Sequence, residues 1–210
     1  MISPADLFAC LHRPDAPAIL DLRIAQDAAA DPTKLPAARR LTLAQLADGQ
    51  GPDGDVVVYC QKGGKISQLA AALLRGRGAS ARALTGGHIG WVAEELPVQP
   101  LGLPEAAIWV MRDDPDWAAL CRLWILRRLV DPTARVLAIA QDQVTAGAKA
   151  IGGRLLGSGD DNLPEIAERW IALPEATPAH EILLRGRLAR RGDPLAALDL
   201  VDDALAGAAP

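Results

Sequence analysis

The stretch that decides the fold prediction is Asp55-Val-Val-Val-Tyr-Cys60-Gln-Lys-Gly-Gly-Lys65-Ile-Ser-Gln-Leu-Ala-Ala-Ala-Leu-Leu-Arg75. Residues 56–59 are β-branched or aromatic, which predicts a short buried strand. Residues 66–75 have apolar side chains at helical spacing and no helix breaker, which predicts a helix. Cys60 therefore stands at the carboxyl end of a strand, in a short loop that opens a helix.

The loop surrounds this cysteine with groups that favour a negative charge. Gly63 and Gly64 permit positive φ angles, which allow backbone amides to turn inward. The start of the helix adds partial positive charge, and Lys62 and Lys65 add full charges. We expect the pKa of Cys60 to lie below the free value of about 8.5, which makes it a thiolate nucleophile. The alternative is a structural core cysteine, because free cysteine is often a small buried residue.

This loop resembles the active-site loop of rhodanese-like sulfurtransferases, whose usual pattern is Cys-x-x-Gly-x-Arg-Ser. Cys60 and Gly63 match that pattern. Lys65 stands where arginine is usual, and Ser67 lies one place late. The resemblance therefore centres on the nucleophile and on the first glycine of the loop.

Two further motifs extend the resemblance over about residues 4–98. Ala-Ile-Leu-Asp21-Leu-Arg23 is similar to the family's early strand, which ends Asp-Val-Arg. Residues 84–98 contain Leu-Thr-Gly-Gly-His-Ile-Gly-Trp and then Leu-Pro-Val, like the family's closing Leu-x-Gly-Gly-x-x-x-Trp and Leu-Pro-Val. Residues 34–38 have no histidine where the family has Gly-His-Ile-Pro-Gly-Ala. The resemblance implies an α/β fold, with helices flanking a rhodanese-like parallel sheet.

The resemblance also implies a reaction and a set of site residues. A sulfane sulfur would pass from thiosulfate or a related donor to a thiol or to cyanide, through a persulfide on Cys60. Lys62 and Lys65 would hold the anionic end of the donor, with weaker orientation than an arginine gives, because lysine acts as a point charge. The predicted substrate- and anion-binding residues are Gln61, Lys62, Gly63, Gly64, Lys65 and Ile66. The predicted supporting residues are Asp21, Arg23 and Ser67.

The order of elements predicts the same architecture independently. Strands predicted at 18–22, 56–59 and 81–84 alternate with helices, which indicates a mainly parallel sheet covered on both faces. Such sheets bind ligands beyond the carboxyl ends of their strands, where Cys60 and Asp21 both lie. Asp21 would accept hydrogen bonds from loop amides, pair with a lysine, or cap a nearby turn.

Two stretches of the first half predict little regular structure. Residues 26–34 are small and polar with a proline, which predicts a loop. Residues 96–104 contain three prolines and a glycine, which predicts a semi-rigid linker. The predicted domains are 1–98, a linker at 99–104, and 105–210.

The second half predicts a smaller α/β to mostly helical domain. Its predicted strands are 106–111 and 135–140. Its predicted helices are 115–130, 142–152, 163–171, 178–191 and 194–206. Residues 108–140 contain Trp-Val-Met-Arg and then Leu-Trp-Ile-Leu-Arg-Arg-Leu-Val-Asp-Pro-Thr-Ala. These motifs resemble the C-terminal region of chromate-resistance proteins of the ChrB type, which implies a link to chromate or oxyanion resistance.

Four arginines of this half have two interpretations. They are Arg112, Arg127, Arg128 and Arg135. Guanidinium groups suit tetrahedral anions, so one interpretation is a shared oxyanion site. The other is a solvated helix face, the commoner place for such side chains. Cys121 lies on an apolar helical stripe and is predicted to be a core residue.

Composition limits the class of protein. The chain has 210 residues, half of them apolar, with a net charge of −4 and a pI of about 5.4. This charge argues against general nucleic-acid or anionic-membrane binding. Three scattered cysteines suit a reducing cytosol, and no secretory signal or membrane span is predicted. We expect a cytoplasmic protein without cofactor or metal, whose partners are a small anionic sulfur donor and a thiol acceptor. The sequence is compatible with a homo-oligomer.

Two other functions compete with sulfur transfer. Phosphatases and arsenate reductases on this scaffold use a longer loop, with an arginine six places after the cysteine. That place is Ile66, which cannot bind an oxyanion through its side chain. A non-catalytic sensing or regulatory protein in oxyanion resistance is the remaining alternative.

Overall fold

A computed structural model of the protein describes residues 1–101, 107–157, 163 and 171–208. The chain divides into two compact units, Met1–Leu103 and Pro104–Pro210. The helices of the first unit are α1 Pro4–Cys10, α2 Ala25–Ala30, α3 Leu43–Ala47, α4 Lys65–Arg75 and α5 Gly87–Ala93. Its strands are β1 Ala18–Asp21, β2 Thr33–Lys34, β3 Arg39–Arg40, β4 Asp55–Tyr59, β5 Ser80–Ala83 and β6 Gln99–Pro100.

The main sheet of the first unit has four strands in the order β3-β1-β4-β5. All neighbouring pairs are parallel, which confirms the predicted parallel sheet. Asp21 lies opposite Tyr59 in the register of β1 and β4. The residues that follow these two strands therefore meet at one edge of the sheet.

Strand β4 alternates between two hydrophobic cores, as successive side chains of a strand must. Val57 and Tyr59 face one core, and Val56 and Val58 face the other. Other buried residues of the first core are Ile2, Leu7, Leu11, Ile19, Leu35, Ala38, Leu84 and Trp91. Other buried residues of the second core are Leu20, Leu22, Leu46, Ala70, Ala71, Leu74, Ala81 and Ala83. Each fully buried valine stabilises the fold by about 1.5–3 kcal/mol. Residues of α1 and α5 lie in the first core and residues of α3 and α4 in the second, so helices cover both faces of the sheet as predicted.

Two stretches predicted to lack structure are ordered. The predicted loop 26–34 contains α2, because its alanine-rich sequence has high helix propensity. The same stretch contains β2, which pairs antiparallel with β6. Within the predicted linker 96–104, Gln99–Pro100 is thus a strand, and residues 102–104 lie outside the described part of the chain.

The second unit contains a parallel sheet in the order β8-β7-β9. Its strands are β7 Ile108–Arg112, β8 Arg135–Ile139 and β9 Arg154–Leu155. Its described helices are α6 Trp117–Ile125, a π-helix Leu126–Val130, a 3₁₀ turn Gln141–Gln143, α7 Val144–Ile151, α8 Pro178–Arg191, a 3₁₀ turn Pro194–Ala197 and α9 Leu198–Ala208. The helix predicted at 163–171 falls almost entirely outside the described residues.

The helix predicted at 115–130 starts later than the sequence indicated. Its cap is Asp116, whose side chain accepts a hydrogen bond from the amide of Ala119 at 2.8 Å. Asp114, which precedes Pro115, does not cap the helix, because its Oδ1 accepts a hydrogen bond of 3.0 Å from Arg112 Nε. In the described part of the chain, no helix combines the length and apolarity that crossing a membrane requires.

Candidate active site

Cys60 follows directly after β4 and is 6% exposed. Its Sγ lies 3.4 Å from the hydroxyl oxygen of Ser67, which is buried in the first turn of α4. The same hydroxyl is 3.0 Å from the carbonyl oxygen of Gly64. A thiolate can only accept hydrogen bonds, so Ser67 becomes the donor when Cys60 is ionised.

Two opposing effects act on the acidity of Cys60. Burial raises the pKa of the thiol, because a charged sulfur loses its hydration. Hydrogen bonds from the Ser67 hydroxyl and from the backbone amides of Ser67, Lys62 and Gly64 lower it. The hydrogen bonds prevail, and the pKa of Cys60 lies below its ordinary value. The loop and the first turn of α4 thus form a cradle that favours the thiolate.

The first turn of α5 orients the first two peptide groups of this loop, including the amide of Lys62. The amide of His88 donates to the carbonyl oxygen of Cys60, and the amide of Ile89 donates to that of Gln61, both at 3.0 Å. In a trans peptide, a carbonyl and the following amide point in opposite directions. These two bonds thus turn the amides of Gln61 and Lys62 away from α5. These two hydrogen bonds from α5 were not predicted from the sequence. The pair Gly86-Gly87 before α5 is the feature of the sequence that indicates a close approach of the backbone here.

Close backbone packing between the two loops requires glycine. Gly63 has φ +65° and Gly87 has φ +58°. A Cβ atom on Gly87 would lie 2.2 Å from the carbonyl oxygen of Cys60, and one on Gly63 would lie 2.6 Å from that of Leu84. The prediction of positive φ is right for Gly63 and wrong for Gly64, whose φ is −91°. One inversion at Gly63 is enough, because Gly64 already serves as the N-cap of α4.

The remaining loop side chains lie outside the cradle. Lys62 and Lys65 are exposed. The largest causes that lower the pKa of Cys60 are hydrogen bonds, as predicted for the loop amides, and the lysine charges are not among them. The side chain of Ile66 packs against the core on the α4 side of the sheet, so any contact of this residue with an anion would come from its backbone amide. Gln61 is half-buried, and its Oε1 has no hydrogen-bond partner among the described residues.

Asp21 and Arg23 form a buried ion pair beside this loop. Arg23 Nη2 donates to Asp21 Oδ2 at 2.8 Å, and both side chains are fully buried. Arg40 Nη1 adds a longer contact of 3.4 Å to the same oxygen. Asp21 therefore pairs with arginines, and the predicted pairing with a lysine is wrong. The reason is local, because the chain returns Arg23 onto the carboxylate only two residues later. Asp21 Oδ1 also accepts a hydrogen bond of 2.9 Å from the amide of Arg23, which confirms the predicted cap of a nearby turn.

Arg23 also fixes the segment that precedes β2. Its guanidinium donates to the carbonyl oxygen of Asp31 at 3.1 Å and to that of Thr33. The Asp31 carboxylate in turn accepts a hydrogen bond of 2.7 Å from the Thr33 hydroxyl. Arg23 is thus a structural support at the edge of the sheet where Cys60 lies.

The arginines of the second unit do not form the shared oxyanion site considered above. Arg112 pairs with Asp114 at 3.0 Å, and Arg128 pairs with Asp202 at 2.8 Å. Arg127 donates to the carbonyl oxygen of Ala134 at 2.9 Å. Each of these side chains has its own partner, which also excludes a simple solvated face. Arg135 is exposed at the start of β8.

Two further findings concern the chemistry of the described residues. Burial raises the pKa of Cys121 to about 12, which confirms that this cysteine is a core residue. Within the ranges that the structure describes, no group of three or more His, Cys, Asp or Glu side chains could hold a metal ion.

Comparisons with known proteins concern the first half of the chain. Residues 11–94 match the family model of the rhodanese-like domain, and no curated protein matches the chain. A rhodanese homologue from Thermus thermophilus is 30% identical, with 42% of this chain and 97% of that chain covered and a TM-score of 0.34. A rhodanese-related protein from Thermoplasma volcanium is 23% identical, with coverages of 47% and 95% and a TM-score of 0.40.

A thiosulfate sulfurtransferase from Pseudomonas aeruginosa is 24% identical, with 49% of this chain but only 20% of that chain covered and a TM-score of 0.41. All three TM-scores lie below 0.5, so the family assignment rests on the sequence match. The parallel sheet and the loop after β4 agree with that match. Residues 11–94 of this chain form a rhodanese-like domain.

Proposed function

We propose that the protein is a sulfurtransferase that carries a sulfane sulfur on Cys60. The observation that supports this most strongly is the position of Cys60 Sγ beside the first turn of α4, 3.4 Å from the Ser67 hydroxyl, where hydrogen bonding lowers the pKa of the thiol. This hydrogen bonding stabilises a thiolate, which is the nucleophilic form of cysteine. The match of residues 11–94 to the rhodanese-like domain supports the same activity.

The first half-reaction loads the enzyme. The Cys60 thiolate attacks the outer sulfur of thiosulfate or a related donor, so that a new S–S bond forms. The S–S bond of the donor breaks, and its electron pair leaves with sulfite. The product is a persulfide on Cys60, as expected of covalent catalysis by an activated nucleophile.

The second half-reaction unloads it. A thiolate or cyanide attacks the terminal sulfur of the persulfide, and the Cys60 thiolate leaves with the bonding electrons. Negative charge stays near the sulfur during both steps, so the same fixed amides stabilise it throughout. Lys62 and Lys65 are exposed and, within the described residues, form no ion pair, so their charges remain available to an anionic donor.

The test is a cyanolysis assay with thiosulfate. The native chain should form thiocyanate, and Cys60→Ser should abolish turnover, because a serine hydroxyl cannot form a persulfide. Cys10→Ser is the matched control, since Cys10 is a second partly accessible thiol outside the loop, and it should keep the native rate. Equal rates for the native chain and Cys60→Ser would refute the proposal.

The sequence alternatives receive less support. In a phosphatase-type loop, the place of Ile66 holds an arginine, and here that side chain packs into the core. The link to chromate rests on the resemblance of residues 108–140 alone. Titration of chromate into the full chain tests it, because the absence of binding at millimolar chromate would remove the oxyanion role.

A further inference from the structure

His88 is a buried histidine beside the Cys60 loop, and it is 1% exposed. It belongs to the first turn of α5, and its backbone amide is the donor that holds the carbonyl oxygen of Cys60 at 3.0 Å. Its ring stacks on Tyr59, with centroids 6.2 Å apart and planes 23° apart. The side chain thus occupies a fixed position beneath the loop.

The hydrogen bonds of Thr33 determine which nitrogen of the imidazole carries the proton. The Thr33 hydroxyl donates its only hydrogen to Asp31 Oδ1 at 2.7 Å. Its oxygen, 3.3 Å from His88 Nε2, must therefore accept from that nitrogen. In the neutral ring, Nδ1 then carries the lone pair, 3.6 Å from Asp31 Oδ2. Nε2 therefore carries a proton whether the ring is neutral or charged.

Burial and the guanidinium of Arg23 favour the neutral form of the His88 ring. Burial lowers the pKa of His88, and the guanidinium of Arg23 lowers it further. The carboxylates of Asp31 and Asp21 act in the opposite direction but do not prevail. Tyr59, the remaining titratable neighbour, has a pKa raised well above its ordinary value by burial and is neutral.

The segment that His88 binds is itself firmly held. Arg23 donates to the carbonyl oxygens of both Asp31 and Thr33, and β2 pairs with β6. A hydrogen bond from His88 to Thr33 therefore joins the first turn of α5 to a rigid part of the domain. This turn is the one that orients the carbonyls of Cys60 and Gln61.

We propose that the imidazole of His88 is a positioning group for the Cys60 thiol. Its Nε2–H bond to Thr33 fixes the first turn of α5, which holds the carbonyl oxygens of Cys60 and Gln61 and so orients the amide of Lys62. This inference rests on the proposed role of Cys60 as the nucleophile. It adds a residue that never touches the sulfur but sets its acidity.

The test measures the acidity of Cys60 in the full chain, independently of sulfur transfer. The rate of iodoacetamide alkylation of the Cys60 peptide is followed against pH by mass spectrometry. His88→Phe keeps the ring and the stacking but loses the bond to Thr33, and Thr33→Val removes the acceptor. Each should make alkylation about fivefold slower at pH 7, with the native rate recovered at a pH where the thiol is fully ionised. His88→Gln can donate to Thr33 again and should restore most of the rate at pH 7.

Leu7→Ala is the control for general destabilisation, because Leu7 is buried in the core that contains Tyr59, the ring on which His88 stacks. It should lower the melting temperature without changing the pH profile of Cys60. A native profile in His88→Phe would overturn the proposal, and so would an equal shift in Leu7→Ala. A native chain that has an acidic Cys60 but transfers no sulfur would refute the proposed function and leave this inference standing.

Discussion

Cysteines in this chain show how surroundings decide the acidity of a thiol. Burial raises the pKa of Cys121 to about 12, and burial also raises the pKa of Cys10. Burial acts in the same direction on Cys60, yet the pKa of Cys60 is lowered. The difference is hydrogen bonding to the sulfur, so the acidity of Cys60 depends on its hydrogen-bond partners more than on its exposure.

Ser67 offers the simplest test of this balance. Ser67→Ala removes the hydroxyl that lies 3.4 Å from Cys60 Sγ and should raise the pKa of the thiol. Alkylation of Cys60 at pH 7 should become about fivefold slower, because one hydrogen bond to the thiolate is lost. Ser80→Ala, at an exposed position at the start of β5, is the matched control. An unchanged rate in Ser67→Ala would show that the hydroxyl does not stabilise the thiolate.

His88 predicts a pH dependence of stability. Its pKa is lowered in the folded domain from an ordinary value of 6.5, so just below pH 6.5 the unfolded chain binds more protons than the folded one. Stability is thus present above that pH and is lost as the pH falls toward the folded pKa. His88→Gln cannot titrate, so its free energy of unfolding should fall less between pH 7 and 5. Urea unfolding of both chains measures this, and equal losses would contradict it.

At the scale of elements, the site is a strand, a loop and a helix that need a second helix to complete them. The loop after β4 supplies the amides, but the first turn of α5 turns their carbonyls outward. This arrangement brings two backbone segments so close that side chains are excluded at Gly63 and Gly87. The cradle is therefore a property of two loops and not of the Cys60 loop alone.

Substitution of these glycines tests the shared packing. In Gly87→Ala, the new Cβ would lie 2.2 Å from the carbonyl oxygen of Cys60, at a φ of +58°. The free energy of unfolding should fall by more than about 2 kcal/mol. Gly64→Ala is the matched control, because φ is −91° and nothing lies within 4 Å of its Cβ; its cost should stay below about 1 kcal/mol. Urea denaturation compares them, and similar losses would contradict the packing described here.

Local patterns predicted those elements whose stabilising contacts lie within the element or its sheet. Strand β4 and helix α4 follow from the valine run and from helical spacing after Gly64, and both are confirmed. Strands β2 and β6 were missed, because two-residue strands carry no period and exist only through their mutual pairing. The pairing of Asp21 with Arg40 was missed for a similar reason, since only the folded chain brings Arg40 onto its carboxylate.

At the scale of the whole molecule, net charge opposes the proposed substrate. The chain carries −4, which disfavours the approach of an anion such as thiosulfate. Lys62 and Lys65 are exposed cations on the loop around Cys60. They provide a local positive field where the rest of the surface is on balance acidic.

The positive charge of these two lysines predicts that their substitution changes KM for thiosulfate but not kcat. Lys62→Gln and Lys65→Gln should each raise KM for thiosulfate about two- to fivefold, as expected for an exposed charge. The value of kcat should change little, because hydrogen bonds and not lysine charges lower the pKa of Cys60. Steady-state cyanolysis measures both constants, with Lys149→Gln in α7 as the control. A fall in kcat at unchanged KM would contradict this role.

The second unit is held together by polar anchors within its own core. Asp202 accepts hydrogen bonds from the Trp124 indole at 2.7 Å and from Arg128 at 2.8 Å. The Trp117 ring stacks on His180 with centroids 4.2 Å apart. These contacts assign Trp117, Trp124 and Arg128 to the stability of that unit.

The most direct test of the role of Cys60 is to treat the native chain with thiosulfate. Mass spectrometry of its cysteine peptides then shows which cysteine has gained sulfur. The three cysteines serve as internal controls, because the pKa of Cys60 is lowered whereas those of Cys10 and Cys121 are raised. We predict the gain of one sulfur atom on the Cys60 peptide and none on the peptides of Cys10 and Cys121. An unmodified Cys60 peptide, or sulfur appearing on Cys10 instead, would contradict the central claim that Cys60 is the sulfur carrier.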